Sequence, residues 1–381
     1  MMALLLADAK SVFTTIGYIL VALLTLMVMI VVHEFGHYSV GKLLKFKINE
    51  FSIGFGPPII KHKKKNGEFF SIRLVPLGGF CAFEGEDDDS SVEGAFNSQK
   101  PWKRILVLLA GVTFNFISAF LILTLAFSIY GYTLPAVTDF NAPVTEGETI
   151  TLQHGDILYK VNGKYVYTMA DSNVGAILKD CEDGVVHLTV IRNYKPMYVG
   201  KFIVFRRGEM VDVTANLGEY YTTDAEGNTT TYRGLGIMTS FISYRMGVWQ
   251  SFVRGIVFCA QVVVFLFQTI GGMFTGLVAV KGNIGGPITT VGIIASSVST
   301  GGFRSILLLL GMMSANIAIM NVLPLPALDG SRVVFTTIEW IRGKPIPRKV
   351  EAIIHTVGLI LLFSITILFD ILNLGMIAKL F

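Results

Sequence analysis

His33-Glu34-Phe35-Gly36-His37 is the stretch of this chain whose residue types and spacing could do chemistry. Two histidines at i and i+4 lie on one face of a helix. Both imidazoles can then reach one Zn²⁺ ion, with the glutamate beside an open coordination position. A glutamate so placed can take a proton from a water activated there and later deliver it to a leaving amine. The five residues follow directly on Ser11 to Val32, a run without a charged side chain. Ionisable groups at the end of such a run are costly in hydrocarbon and normally face a functional interior. The same placement suits a proton relay, so a proton-coupled transporter stays open at this point.

Composition sets the elements that must carry this motif. The chain has 381 residues, 52% hydrophobic and 15% charged, with a mean hydropathy of +0.61. Soluble domains carry about 25% charged residues. An ordinary cytosolic enzyme, a disordered protein and a nucleic-acid binder are excluded. Cys81, Cys181 and Cys259 have no metal spacing and are too few for a disulfide framework. The fold class expected is a polytopic α-helical membrane protein with four transmembrane helices, membrane-associated β segments and an inserted outer domain.

Ser11 to Val32 would be about 33 Å long as a helix, enough to cross a bilayer core. It is too long for a signal-peptide core and lacks a basic leader, so it reads as a retained span. Ile105 to Tyr130, Ser305 to Leu328 and Ala352 to Phe369 read as the other three. Gly255 to Val280 is also apolar. The loops after the first and third spans are basic, including Lys42, Lys45, Lys61, Lys63, Arg73 and Lys103, then Arg332, Arg342 and Lys344. The positive-inside rule puts both in the cytoplasm. The N-terminus and residues 131–246 then lie outside a plasma or inner membrane, with the active site toward the cytoplasm. The domains expected are 11–130, an N-terminal membrane core; 131–246, the outer domain; 247–302, interfacial or re-entrant helices; and 303–381, a C-terminal membrane core.

In 131–246 charges return and apolar runs shorten to strand length. Val185 to Ile191 and Lys201 to Phe205 read as strands. Leu152 to Lys164 has a turn at His154-Gly155-Asp156, a short strand and the hairpin pair Asn162-Gly163. This resembles the L-x-x-G-D-x-I-x-x-V-N-G core of PDZ domains, which bind extended peptides by strand addition. Arg233-Gly234-Leu235-Gly236-Ile237 would be the peptide-binding loop of a permuted arrangement. Ala142 to Ile150 departs from the Pro-Ala-rich helix start usual before the Gly-Asp turn. A purely steric role for this domain stays open beside peptide binding.

Zinc needs a third protein ligand. In Asn321-Val322-Leu323-Pro324-Leu325-Pro326-Ala327-Leu328-Asp329-Gly330 two prolines break the third span. Membranes tolerate an open backbone only where it is buried in protein or lines a wet cavity. Asp329 is the only carboxylate between Glu226 and Glu339. It is either a helix-end residue or the third ligand. Asn321 either hydrogen-bonds substrate backbone or oxyanion, or caps the broken helix.

The two motifs together resemble the site-2 protease family of intramembrane zinc metalloproteases, whose pattern is HExxH in one span and N-x-x-P-x-P-x-L-D-G in a later one. The inserted PDZ-like domain resembles the bacterial regulator-of-sigma-E protease branch. So do Gly54-Phe55-Gly56-Pro57, Arg73 to Phe80, Ala95-Phe96, Trp102-Lys103-Arg104, Ala110-Gly111 with Asn115, and Gly285-Gly286-Pro287. Val112 and Ser331 depart from the branch's usual proline and glycine. The resemblance implies Zn²⁺ held by His33, His37 and Asp329, with Glu34 as general acid/base. It also implies single-span membrane substrates whose outer domain has been trimmed, such as anti-sigma factors or remnant signal peptides.

For Asp329 to meet His33 and His37, the third span must enter from outside. Gly255 to Val280 should therefore lie at the interface or dip and return rather than cross once. A helical substrate must be drawn into an extended form before attack, and an edge strand would do this by pairing with it. Val75-Pro76-Leu77-Gly78-Gly79-Phe80, continuing to Phe83, is the candidate. Glu84 to Asp89 reads as a solvated acidic loop. His62 and His355 have no partner at ligand spacing. The rival readings are the proton-coupled transporter and a membrane-anchored PDZ binding module without catalysis.

Overall fold

The computed structural model of the chain describes residues 2–86, 90–141, 151–166, 173–179, 181, 184–195, 197–199, 202–205, 208–223, 229–275, 285–373 and 375. The stretch 142–150, residues 87–89 of the acidic loop and Lys281 lie outside them. In chain order the elements are α1 (Met2–Leu43), β1 (Ile48–Lys63), β2 (Phe69–Phe83), α2 (Pro101–Tyr130), β3 (Tyr132–Phe140), β4 (Ile157–Val161), β5 (Lys164–Tyr165) and α3 (Val174–Lys179). There follow β6 (Val185–Arg192), β7 (Met197–Val199), β8 (Phe202–Phe205), β9 (Glu209–Asn216), β10 (Gly218–Thr223), β11 (Thr229–Gly234) and β12 (Ile237–Tyr244). The chain ends in α4 (Val248–Phe274), α5 (Pro287–Val322), α6 (Asp329–Arg342) and α7 (Arg348–Leu372).

Among the described residues five helices are long and apolar enough to cross a membrane: α1, α2, α4, α5 and α7. Four spans are expected from sequence. The fifth is α4, 27 residues long, which takes in 255–274 of the ambiguous stretch; 276–280 lie outside the described residues. The third expected span, Ser305 to Leu328, is helical only as far as Val322, because the prolines at 324 and 326 cannot continue the helix. Pro287 opens α5, and Gly302, with φ 57° and ψ −141°, divides it into two helical parts, 287–301 and 303–322.

The chain forms two compact units, 1–123 with 266–381, and 124–265. In the first, α2 and α5 run antiparallel: Ser118 bonds Ser314 at 3.1 Å, and Leu123 packs at Gly311. Antiparallel packing also joins α5 and α7. Asp370, buried near the end of α7, accepts the Ile288 and Thr289 N–H groups at 3.0 Å and so caps the start of α5. His355, near the start of α7, accepts the Ala327 N–H beyond the end of α5. The chain therefore leaves α2 and enters α5 at the end of this unit remote from Asp329.

The β1–β2 hairpin folds back on itself. Phe51 lies opposite both Cys81 and Phe70, Ser52 opposite Phe80 and Ser71, and Ile53 opposite Gly79 and Ile72. The stretch 48–53 is thus flanked on both sides, and 79–83 is an outer edge. Phe46, Phe51, Phe83 and Phe96 pack on Val107 and Leu108, fastening this sheet to α2. Buried Glu68 is gripped by Lys64 at 2.6 Å and by Lys42 of α1 at 3.1 Å. Burial alone would raise its carboxyl pKa, but hydrogen bonds from Lys64 and its neighbours bring it down to about 2.

In the second unit the main sheet has the order β12-β3-β4-β6-β9, leaving β12 at an edge. Leu134, Ile157, Leu158, Val161, Leu188 and Val190 form its core. The β4–β5 hairpin turns at Asn162 and Gly163, both with positive φ (48° and 74°), the type I′ geometry that the Asn-Gly pair predicts. Val185 to Ile191 is β6 as expected. Within this unit Arg254 of α4 donates to the Val166 carbonyl at 2.7 Å and lies over the rings of Tyr132, Tyr159 and Tyr165.

Candidate metal centre

His33 and His37 sit one turn apart on α1, and Asp329 is the first residue of α6. Their ligating atoms converge. His33 Nε2 lies 2.9 Å from Asp329 Oδ2 and 3.1 Å from His37 Nε2, and the remaining side of the triangle is 3.3 Å. Atoms bound at 2.0–2.1 Å to a tetrahedral zinc ion lie about 3.3 Å from one another. His33, His37 and Asp329 are the one group of three or more such side chains, among the described residues, that could hold a metal ion.

The outer contacts decide which ring nitrogens face inward. His37 Nδ1 donates to the Val107 carbonyl at 2.8 Å, so its Nε2 carries the lone pair. His33 Nδ1 faces the side-chain amide of Asn115 at 3.3 Å. Asn115 is fully buried, and its Oδ1 has no hydrogen-bond partner with Nδ2 toward the ring. With the amide turned over, Oδ1 accepts the His33 Nδ1 proton and the buried oxygen is satisfied. Both Nε2 lone pairs then point at a carboxylate oxygen. Three such donor atoms repel unless a cation lies between them, so the residues present fit zinc.

Packing brings the pieces this close. A Cβ on Gly36 would stand 2.5 Å from the Ala110 carbonyl oxygen, and one on Gly111 would stand 2.5 Å from His37 Nε2. Glycine at both positions lets α1 press against α2 and leaves the metal face clear. Glu34 does not join the triad. Its Oε2 accepts the Cys81 N–H at 3.0 Å, which turns it toward the edge of the β1–β2 sheet. A cavity of ≈ 320 Å³ opens here, lined by Glu34, His37, Phe80, Cys81, Asp329 and Arg332. Arg332, one turn beyond Asp329, pairs with Glu86. Buried Arg104 of α2 pairs with Glu339 of α6 at 2.7 Å. These pairs fix the helix that Asp329 opens.

The other candidate residues are placed less uniformly. Gly78 and Gly79 are buried and Phe80 lines the cavity, while Val75, Pro76 and Leu77 are exposed at the bend of the hairpin. Asn321 lies in the last turn of α5 and makes no hydrogen bond to the triad among the described residues. Asn115 and Val107 have no motif-like spacing to HExxH; the sequence signals for Asn115 are its place in the Ala110-Gly111 resemblance and its position four residues from Gly111 on one helical face. Asn115→Leu is expected to weaken zinc binding about 10–100-fold, the usual cost of losing an outer-shell partner. Equilibrium zinc titration against a competing chelator measures it, and Asn115→Asp, which retains an acceptor, should recover most of the loss.

Long apolar helices around a His-Glu-His-Asp centre define a membrane metallopeptidase. The profile of Peptidase family M50 matches residues 21–365, and the chain belongs to that family of site-2-type proteases. Provisionally named zinc metalloproteases resemble it along nearly their whole length. The Clostridium perfringens protein is 30% identical over 354 residues, covering 93% of this chain and 97% of its own. The Fusobacterium nucleatum protein is 31% identical over 361 residues, covering 92% and 97%. The Agrobacterium fabrum protein is 28% identical over 372 residues, covering 92% and 94%. The protein is a zinc metalloprotease.

Proposed function

We propose that this protease cuts single-span membrane proteins inside the bilayer after their outer domains have been trimmed. His33, His37 and Asp329 would hold zinc, and Glu34 would act as general acid/base. Substrates would be of the anti-sigma-factor or remnant-signal-peptide type. The observation that carries the reading is the meeting of three candidate ligand atoms from two distant helices beside the outer edge of the β1–β2 sheet.

Zinc, when bound, supplies Lewis acidity to the water and to the scissile carbonyl. Glu34 takes the water's proton at a carboxylate oxygen and hands it to the leaving amine. The Cys81 N–H holds that carboxylate in place. Gly79 to Phe83, the later part of the Val75 to Phe83 candidate, is the edge on which an extended substrate would pair. Backbone pairing unwinds the helical substrate and lays a peptide bond beside Glu34. Buried Asn115 and the Val107 carbonyl keep both imidazoles in one tautomer.

The shared end at which α2 leaves and α5 begins supports an even number of crossings between them. On that reading α4 lies at the interface or dips and returns, the second unit lies outside the cell membrane, and Asp329 sits toward the cytoplasm. In that unit a groove of ≈ 770 Å³ runs between α3, at Val174 and Leu178, and the edge strand β12, at Ile237 and Phe241. Gly234 and Leu235 also line it. This arrangement supports a PDZ-like site that takes an extended peptide and screens untrimmed substrates.

The test uses purified protein in detergent. About one zinc per chain is expected, with cleavage of a single-span reporter bearing a short outer tail. A second reporter with a folded outer domain should be cut far more slowly. Metal-free, folded protein, or equal cleavage of both reporters, would overturn the reading.

A further inference from the structure

We propose that His355 on the last helix is a positioning residue for the metal centre, holding the backbone turn that aims Asp329. The proposal rests on the ligand set above. Between the end of α5 and the start of α6 the chain runs Leu323-Pro324-Leu325-Pro326-Ala327-Leu328. Neither proline has an N–H to give. The Leu323 amide donates to the Met320 carbonyl, Leu325 to Leu323 at 2.7 Å and Leu328 to Leu325 at 3.1 Å. The remaining amide, Ala327, finds its acceptor outside the loop, at His355 Nδ1, 3.1 Å away.

Ala327 is also the residue that most needs holding. Its φ is +75°, a left-handed conformation that an alanine keeps only when its surroundings impose it. Asp329 follows two residues later. A change at Ala327 would swing the carboxylate away from His33 and His37.

The rest of α7 fits the same purpose. Gly358, three residues on and on the same face, faces Pro326 so closely that a Cβ there would overlap the proline ring. Phe335 of α6 meets the His355 ring edge-on at 5.7 Å. With Nδ1 accepting, the ring proton lies at Nε2, which faces Glu351 at 4.0 Å. The last helix supplies no metal ligand, yet it touches the turn on either side of its bend.

The experiment compares His355→Leu, His355→Asn and His355→Gln with wild type. Asparagine places Oδ1 where Nδ1 stood, whereas glutamine places its acceptor one bond further out. Zinc loss to a chelator, kcat, KM and hydrogen exchange of the peptide carrying Ala327 are read for each. His355→Leu should lose zinc at least about tenfold faster and lower kcat about 10–100-fold with KM within about twofold. The Ala327 peptide should exchange faster. His355→Asn should stay within about threefold of wild type, and His355→Gln should resemble leucine. Should the leucine variant fail to fold, the asparagine–glutamine comparison decides. Wild-type zinc retention in His355→Leu, or equal loss in the asparagine and glutamine variants, would overturn the proposal while leaving the ligand set standing. Zinc-free wild type would instead sink the ligand set, and this inference with it.

Discussion

Glu34→Gln should abolish cleavage while zinc content stays close to wild type. The amide nearly preserves the shape of the side chain but cannot accept and return a proton. General acid/base catalysis contributes about 10²–10⁴-fold. On the proposed mechanism one residue would serve both proton transfers, so a fall of at least about 10³-fold is expected in kcat, with little change in KM. The amide oxygen can still accept the Cys81 N–H, so the sheet edge should stay docked. The measurement is single-turnover cleavage of the trimmed reporter, alongside zinc analysis of the same preparation. Turnover within tenfold of wild type would remove Glu34 from the mechanism. A parallel loss of zinc would mean that the glutamate holds the site together rather than moving protons.

Asp329→Ala should be nearly as damaging for a different reason. In the proposed ligand set its carboxylate would contribute one of three ligand atoms and the only negative charge among them. Without it two neutral imidazoles from one helix face remain, and zinc affinity should fall by more than the 10–100-fold typical of an outer-shell loss. Zinc should be lost on dilution, and cleavage with it. Asp329→Asn is a sharper comparison: it keeps the volume and one oxygen but removes the charge, so intermediate affinity is expected. His33→Ala should match Asp329→Ala. Such agreement would join residues 296 positions apart into one centre. If Asp329→Ala keeps full zinc, Asp329 is a helix-end residue and the third ligand lies elsewhere.

Much of this was legible in the chain alone, for definable physical reasons. Helical periodicity puts His33 and His37 on one face whatever surrounds them. Charge-free runs longer than a bilayer core announce apolar helices. Asn162-Gly163 requires a tight turn because its backbone favours positive φ. The prolines at 324 and 326 end a helix because they lack donors. None of these needs a distant partner, so local chemistry suffices. The tertiary structure decided what depends on two segments meeting. Asp329 joins the histidines because α6 is pinned by Arg332 to Glu86 and by Glu339 to Arg104. Asn115 matters because α2 presses on α1 at two glycines. The edge beside Glu34 is Gly79 to Phe83 because the hairpin folds back on itself, a register that strand patterns do not encode. His355 looked partnerless because its partner is a backbone amide, which carries no residue identity for a sequence to display.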